Sequence, residues 1–377
     1  MRGLPAGSYF DPARGPLDVA TLLGPGWQFV CHVADLPAAG TAARFDCGAR
    51  SAFVLRTRTM ELRAFRNVCG HRGSRLLDGD RHTGLAFCVD GRVRCPYHGW
   101  TYDEQGRLES IPAGQRFEAL DRGDEALPAL AVGEWRGLVF VALENPARPL
   151  DEAFGAAGAD WPDVSAMRRL GEPRVVTVEA DWKLVCEHAL YTAHLAVVRP
   201  MPPSRLFEPR DYAAAGADAW RAAGVPVDPA RASWSARRYL ALADGTGDAL
   251  IADFRFLWPN QWLCRTADTL TILQALPAGA GRSRIRLLRY GSHVLTREAR
   301  VRRHLHERIV RGALAQDAAV LERMQQGLTA LDAGASLPLD AAQPALAAFV
   351  ERCRAASVPA SARRARRPRK AATTTPA

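Results

Sequence analysis

Cys69-Gly70-His71-Arg72-Gly73, answered by Cys95-Pro96-Tyr97-His98-Gly99-Trp100-Thr101-Tyr102, is the stretch on which the fold turns. Each cluster pairs one Cys with one His, as CxH and then CxxH, with 23 residues between His71 and Cys95. A structural zinc site takes its thiolates in matched pairs from one short loop, and neither loop offers that. Gly70, Gly73 and Gly99 permit tight turns and Pro96 stiffens the second loop. Tyr97, Trp100 and Tyr102 are expected to shield the bound group from water.

The donor set suits a cluster with unlike irons. A Rieske [2Fe–2S] centre needs two Cys on one iron and two His on the other, so each loop supplies one of each. Cys69, His71, Cys95 and His98 are the expected metal ligands. Neutral imidazoles in place of thiolates raise the reduction potential, which makes the cluster an acceptor from ferredoxin-like donors. Cys88, inside the interval, is then a strand or loop thiol. With Asn67-Val68 and Arg72-Gly73-Ser74-Arg75-Leu76 beside it, the stretch resembles the Rieske domain of the ring-hydroxylating oxygenase family, large (alpha) subunit. The interval from His71 to Cys95 is longer than is usual there.

At 377 residues the chain has room for two cores. No apolar run reaches membrane-spanning length and the first ten residues lack a signal-peptide core, so the expected location is cytoplasmic, with no membrane. Eight Cys without regular dense spacing fit a reducing compartment. The net charge of +10 invites a nucleic-acid role, but Arg363, Arg364, Arg366, Arg367, Arg369 and Lys370 supply six of those charges. No nucleic-acid partner is expected, and residues 356–377 read as a disordered basic tail.

The predicted class is α+β: an all-β Rieske domain, then a helix-grip domain in which an antiparallel sheet wraps a long C-terminal helix. Residues 1–40 read as an N-terminal segment with an apolar strand at Trp27–Val33, in which His32 is a satisfied histidine. The Rieske domain is placed at 41–145. Short strands at 44–46, 52–56 and 62–66 open it, and one returning strand at 132–141 closes it. Asn145 to Pro149 marks the boundary. In the helix-grip domain, 146–335, the expected elements are a strand at 174–179, a helix over 182–198 and an unpatterned Ala-rich insertion near 213–223. Strand-like segments then follow at 235–242, 250–258, 262–266, 270–276 and 283–290. A helix over 297–328 ends the folded part.

The resemblance implies a second metal, a mononuclear Fe(II) held by two His and a carboxylate. Asp181 to His194 matches the family's iron-binding helix, with His194 as a ligand. Asp317 lies on the apolar stripe Val301, Leu305, Ile309, Ala313, Val320 or Leu321, Met324 and Leu328, where a lone carboxylate is costly unless paired or metal-bound. It also begins the family's carboxylate-ligand motif. The second His of the pattern is replaced by Arg199, whose guanidinium has no lone pair to give. Tyr191 stands where the family has an acidic relay residue, and His188 where it has an Asn close to the iron.

Three readings stay open. His188 substitutes for the lost ligand, which on an ideal helix leaves it about 9 Å along the axis from His194. Alternatively the site is degenerate, and the chain is a non-catalytic subunit that transfers electrons to, or stabilises, a complete partner. In the third, His194 and Asp317 suffice and Arg199 binds an anionic substrate group. The activity implied is O₂-dependent hydroxylation or demethylation of a small organic substrate by a Rieske non-heme iron oxygenase. The implied partners are an NAD(P)H-dependent flavin/iron–sulfur reductase or ferredoxin, within a homotrimer or a hetero-oligomer with an alpha-type homologue. No single residue points to the substrate.

Overall fold

The computed structural model describes residues 1–377 except 80–84, 89–90, 113, 118–119, 122, 192–205, 210–211, 227, 229, 231, 245–251, 267, 294–295, 341 and 357–377. The basic tail, apart from Ala356, therefore lies outside the described residues, as do His194 and Arg199.

Short strands rich in aromatic and branched residues build the first sheet. Its spatial order is Gln28–His32, Leu138–Ala142, Ala129–Trp135, Leu62–Arg66, Arg50–Arg56, Thr41–Cys47 and Leu85–Phe87. Ala52, Phe53, Val54 and Leu55 are all buried, so this central strand packs on both faces. The run expected as one returning strand is a hairpin instead. Arg136 (φ 52°) and Gly137 (φ 87°) form a two-residue turn that sets Trp135 opposite Leu138. A side chain at Gly137 would sit 2.6 Å from the Ser165 amide nitrogen. Val93–Arg94, Thr101–Tyr102 and Leu108–Ser110 make a small separate sheet that carries the second Cys-His loop.

Residues 1–40 serve both halves of the molecule. Gln28–His32 is an edge strand of the first sheet, while Arg2–Pro5 pairs with Ser336–Pro338 far along the chain. His32 is buried and satisfied: its Nδ1 accepts from the Ala34 amide, its Nε2 lies 3.0 Å from the Val164 carbonyl, and it stacks on Tyr290.

The second sheet is antiparallel, with nine strands among the described residues. Its path runs Arg168–Arg169, Arg282–Gly291, Thr269–Gly279, Gln261–Arg265, Ala252–Leu257, Ala219–Pro226 and Phe207–Pro209; Arg174–Val178 and Ala213–Ala214 pair alongside. The Ala-rich insertion thus supplies sheet strands, and its alternation is hidden because small Ala and Gly side chains carry little contrast. The segment 235–242, expected as strand, lies within a helix, Trp234–Asp244. Ala236, Tyr239, Leu240 and Ala243 are buried at helical spacing in one cluster with Leu305 and Ile309 of the long helix.

That long helix, Arg297–Thr329, starts where the Thr296 hydroxyl accepts from the Ala299 amide, with Glu298 in its first turn. Its buried stripe is narrower than expected. Leu305, Ile309, Leu321 and Leu328 are buried, but Val301, Val320 and Met324 are exposed. The folded part does not end there either: Pro344–Ala356 is a helix that buries Phe349, Val350 and Cys353 in the main core. No helix among the described residues is long and apolar enough to cross a membrane.

Candidate metal and substrate sites

The two Cys-His loops share one backbone design. Gly73 N–H donates to the Cys69 carbonyl at 3.0 Å and Gly99 N–H to the Cys95 carbonyl at 3.1 Å. Both glycines have positive φ, 69° and 73°, so each loop curls back over its own cysteine. Cys69 and Cys95 are buried in a small core with Phe53, Phe65, Leu76, Val93, Trp100 and Tyr102. His71 stacks on Trp100 (centroids 4.9 Å, planes 8° apart) and lies edge-on to His98 at 4.7 Å. The four expected ligands are therefore brought together.

Tyr102 ties the loops to each other. Its hydroxyl accepts from the Gly70 amide at 3.0 Å and lies 3.4 Å from Cys69 Sγ. Burial pushes the Cys69 thiol up. At Cys95 burial acts the same way, but the Tyr97 and His98 amides, with Cys69 and Ser74, outweigh it and hold that thiol below its ordinary value. Trp100 and Tyr102 are buried as expected; Tyr97 is 61 % exposed. Its ring lies against that of His98, itself exposed.

These residues fit a [2Fe–2S] group. The Nδ1 of His71 is buried without a hydrogen-bond partner among the described residues, as a nitrogen reserved for a metal would be. Among the described residues no three His, Cys, Asp or Glu side chains converge on a single ion. A cluster that takes two protein ligands per iron does not require them to.

The second site rests on the helix Trp182–Leu190, capped by the Asp181 carboxylate on the Lys183 amide at 2.9 Å. Lys183 ends between two carboxylates, Asp181 at 2.9 Å and Asp18, while Trp182 Nε1 also donates to Asp18. The Asp181 amide donates to Gln325 of the long helix. These buried bonds fix the rotation of the short helix, and that rotation aims His188 at the long helix. His188 Nε2 lies 3.3 Å from Asp317 Oδ1.

The short helix stops sooner than expected. It ends at Leu190, and Tyr191 (φ −89°, ψ 97°) is extended. The axial separation worked out for His188 and His194 on one ideal helix does not apply, since the chain leaves the helix between them. Periodicity could not show this, because Ala and His carry the helical pattern past the break. Also missed was Glu187, whose carboxylate accepts from the Tyr9 hydroxyl at 2.7 Å. Burial raises its pKa to about 7. Its partner is distant in the chain, so no local signal could have found the pair.

His188 and Asp317 stand between two hollows. One, of about 170 Å³, runs along the long helix under Phe207, Tyr212, Phe254 and Trp262. The other, of about 1010 Å³, lies toward Tyr9, Glu187, Tyr191 and Arg323. His306 also lines the first. The signal was present in the spacing His306, Ile309 or Val310, Ala313, Asp317, which is one helical face.

A family model described as Rieske [2Fe-2S] domain matches residues 26–128, and one described as ring hydroxylating alpha subunit (catalytic domain) matches residues 166–356. The glycine betaine monooxygenase oxygenase subunit of Chromohalobacter salexigens is 32% identical over 209 residues, 54% of this chain and 45% of that protein. The large oxygenase component of the naphthalene 1,2-dioxygenase system of Pseudomonas aeruginosa is 28% identical over 178 residues, 45% of this chain and 38% of that protein. The chain thus spans under half the length of these two relatives. Among solved structures, the quaternary ammonium Rieske monooxygenase CntA superposes with a TM-score of 0.74 at 18% identity, covering 94% of this chain and 95% of that one. That likeness carries the fold.

Proposed function

Because this chain belongs to the ring-hydroxylating alpha-subunit family, with a Rieske [2Fe–2S] domain ahead of the catalytic domain, we propose that it is the oxygenase subunit of a two-metal electron path. Electrons would pass from the [2Fe–2S] cluster to a mononuclear Fe(II) for O₂-dependent hydroxylation or demethylation of a small organic substrate. Cys69, His71, Cys95 and His98 are the proposed cluster ligands. His188, His194 and Asp317 are the proposed ligands of the mononuclear iron, with His188 replacing the histidine lost at Arg199.

The observation that carries this is the 3.3 Å approach of His188 Nε2 to Asp317 Oδ1. Two ligand atoms each about 2.1 Å from one metal ion, at roughly 90–105° to each other, lie about 3.0–3.3 Å apart. The family match and this approach both weigh against the alternative of a non-catalytic electron-transfer subunit. A bound mononuclear iron with open positions supplies oxygen activation. The chain's own residues do the rest. Lys183 and its two carboxylates hold His188 in place, the cavity walls exclude water, and Trp100 orients His71.

The same proposal includes an electron donor, an NAD(P)H-dependent flavin/iron–sulfur reductase or a ferredoxin, and assembly as a homotrimer or with an alpha-type homologue in the cytoplasm. Exposed His98 and Tyr97 support it, since they leave one edge of the cluster site open to a partner. Asp317→Ala and His188→Ala test the ligand set. Each should lower the mononuclear iron content and abolish oxygenation while the Rieske absorbance persists. Full iron retention in His188→Ala would remove His188 from the site.

A further inference from the structure

Most of the cavity beside His188 and Asp317 is apolar, yet two polar groups at its far end have no partner among the described residues. His306 and Thr271 are both buried, and both line it. The His306 Nδ1 and the Thr271 Oγ1 make no hydrogen bond to any described residue. They belong to one end of the cavity. Thr271 sits opposite Arg289 across the sheet, and the Arg289 charge acts on the His306 ring. Burial, helped by that charge, lowers the His306 pKa to about 4, so its imidazole is neutral near pH 7.

A buried, unpaired nitrogen and hydroxyl cost free energy unless something in the cavity satisfies them. The cavity, at about 170 Å³, exceeds by roughly tenfold what one water needs. His306 and Asp317 are eleven residues apart on the same helix, so their Cα atoms lie about 16 Å apart along its axis. Both ends reach inward, so a molecule of about two linked rings bridges them.

We infer, on the reading above that this cavity holds the substrate, that His306 and Thr271 form a specificity subsite for one uncharged oxygen substituent, a hydroxyl or carbonyl, on an otherwise apolar two-ring molecule. No Lys or Arg is among the described residues lining this cavity, so a carboxylate in that place has no counter-charge. A hydrocarbon without the oxygen leaves both groups unpaired.

Binding, measured by calorimetry on the anaerobic purified holoenzyme, tests this without requiring turnover. The probes are 4-phenylphenol, biphenyl and 4-phenylbenzoate. 4-Phenylphenol should bind about 10- to 100-fold more tightly than biphenyl. His306→Leu should erase that preference chiefly by weakening 4-phenylphenol, Thr271→Val should reduce it several-fold, and His306→Gln should restore part of it. Equal affinity of the phenol and biphenyl in the unmodified protein, tightest binding of the benzoate, no binding of any probe, or a preference unchanged in His306→Leu would each overturn the inference. Iron counts on the same samples report separately on the metal-site proposal, so failure of one is distinguishable from failure of the other.

Discussion

Replacing Tyr102 by Phe removes one hydroxyl from a fully buried position and leaves the ring in place. That hydroxyl lies 3.4 Å from Cys69 Sγ and accepts from the Gly70 amide. With the amide proton on its lone pair, its own hydrogen is directed at the sulfur. A hydrogen bond to an ionised acceptor is worth about 1.5–3 kcal/mol, and it strengthens when the acceptor gains negative charge. If about 1–1.5 kcal/mol of it is realised only on reduction, its loss lowers the one-electron potential by about 45–65 mV, at 59 mV per tenfold. The orphaned Gly70 amide adds about 1–3 kcal/mol of lost stability to the loop. A redox titration followed by electron paramagnetic resonance, with cluster content matched between the two proteins, reads the shift. A potential that is unchanged or higher in Tyr102→Phe would refute the assignment of Tyr102 as a donor to the cluster sulfur.

Two further outcomes follow from the same contacts. His306 is neutral when folded, with its pKa lowered to about 4 from 6.5 by burial and the Arg289 charge. Between those values the unfolded chain binds the extra proton, so stability falls as pH drops from about 6.5 to 4, by about 3 kcal/mol in all. The Tyr239 ring lies 6.1 Å from that of His306, and thermal melts of the unmodified protein and of His306→Leu across that window isolate the histidine; parallel pH profiles would contradict it. Phe349 packs edge-on to Trp182, Phe256 and Trp258. Phe349→Ala should cost about 3–5 kcal/mol in denaturant unfolding, and a loss below 1 kcal/mol would show that Pro344–Ala356 is not part of the core.

What could be read from residues alone followed the range of the forces involved. The convergence of the Cys-His loops was legible because their residue types and turn glycines are local, and Asp317 stood out because a carboxylate on an apolar stripe conflicts with its surroundings. The hairpin at Arg136-Gly137 was merged into one strand because an Arg in a left-handed turn carries no compositional mark. The helix Trp234–Asp244 was misjudged because half of its buried face is Ala, Ala236 and Ala243 beside Tyr239 and Leu240, and only packing against Leu305 and Ile309 decides it. The end of the short helix at Leu190 and the pairing of His188 with Asp317 depend on Asp18, Gln325 and the long helix. No local pattern encodes those contacts.

Iron and acid-labile sulfide counted on the purified protein after anaerobic reconstitution put the two-metal account to its most direct test. A [2Fe–2S] cluster with an occupied mononuclear site predicts a ratio of about three irons to two sulfides per chain, falling to about two to two in Asp317→Ala. A ratio of two to two in the unmodified chain, rising to three to two only when Arg199 is replaced by His, would contradict it.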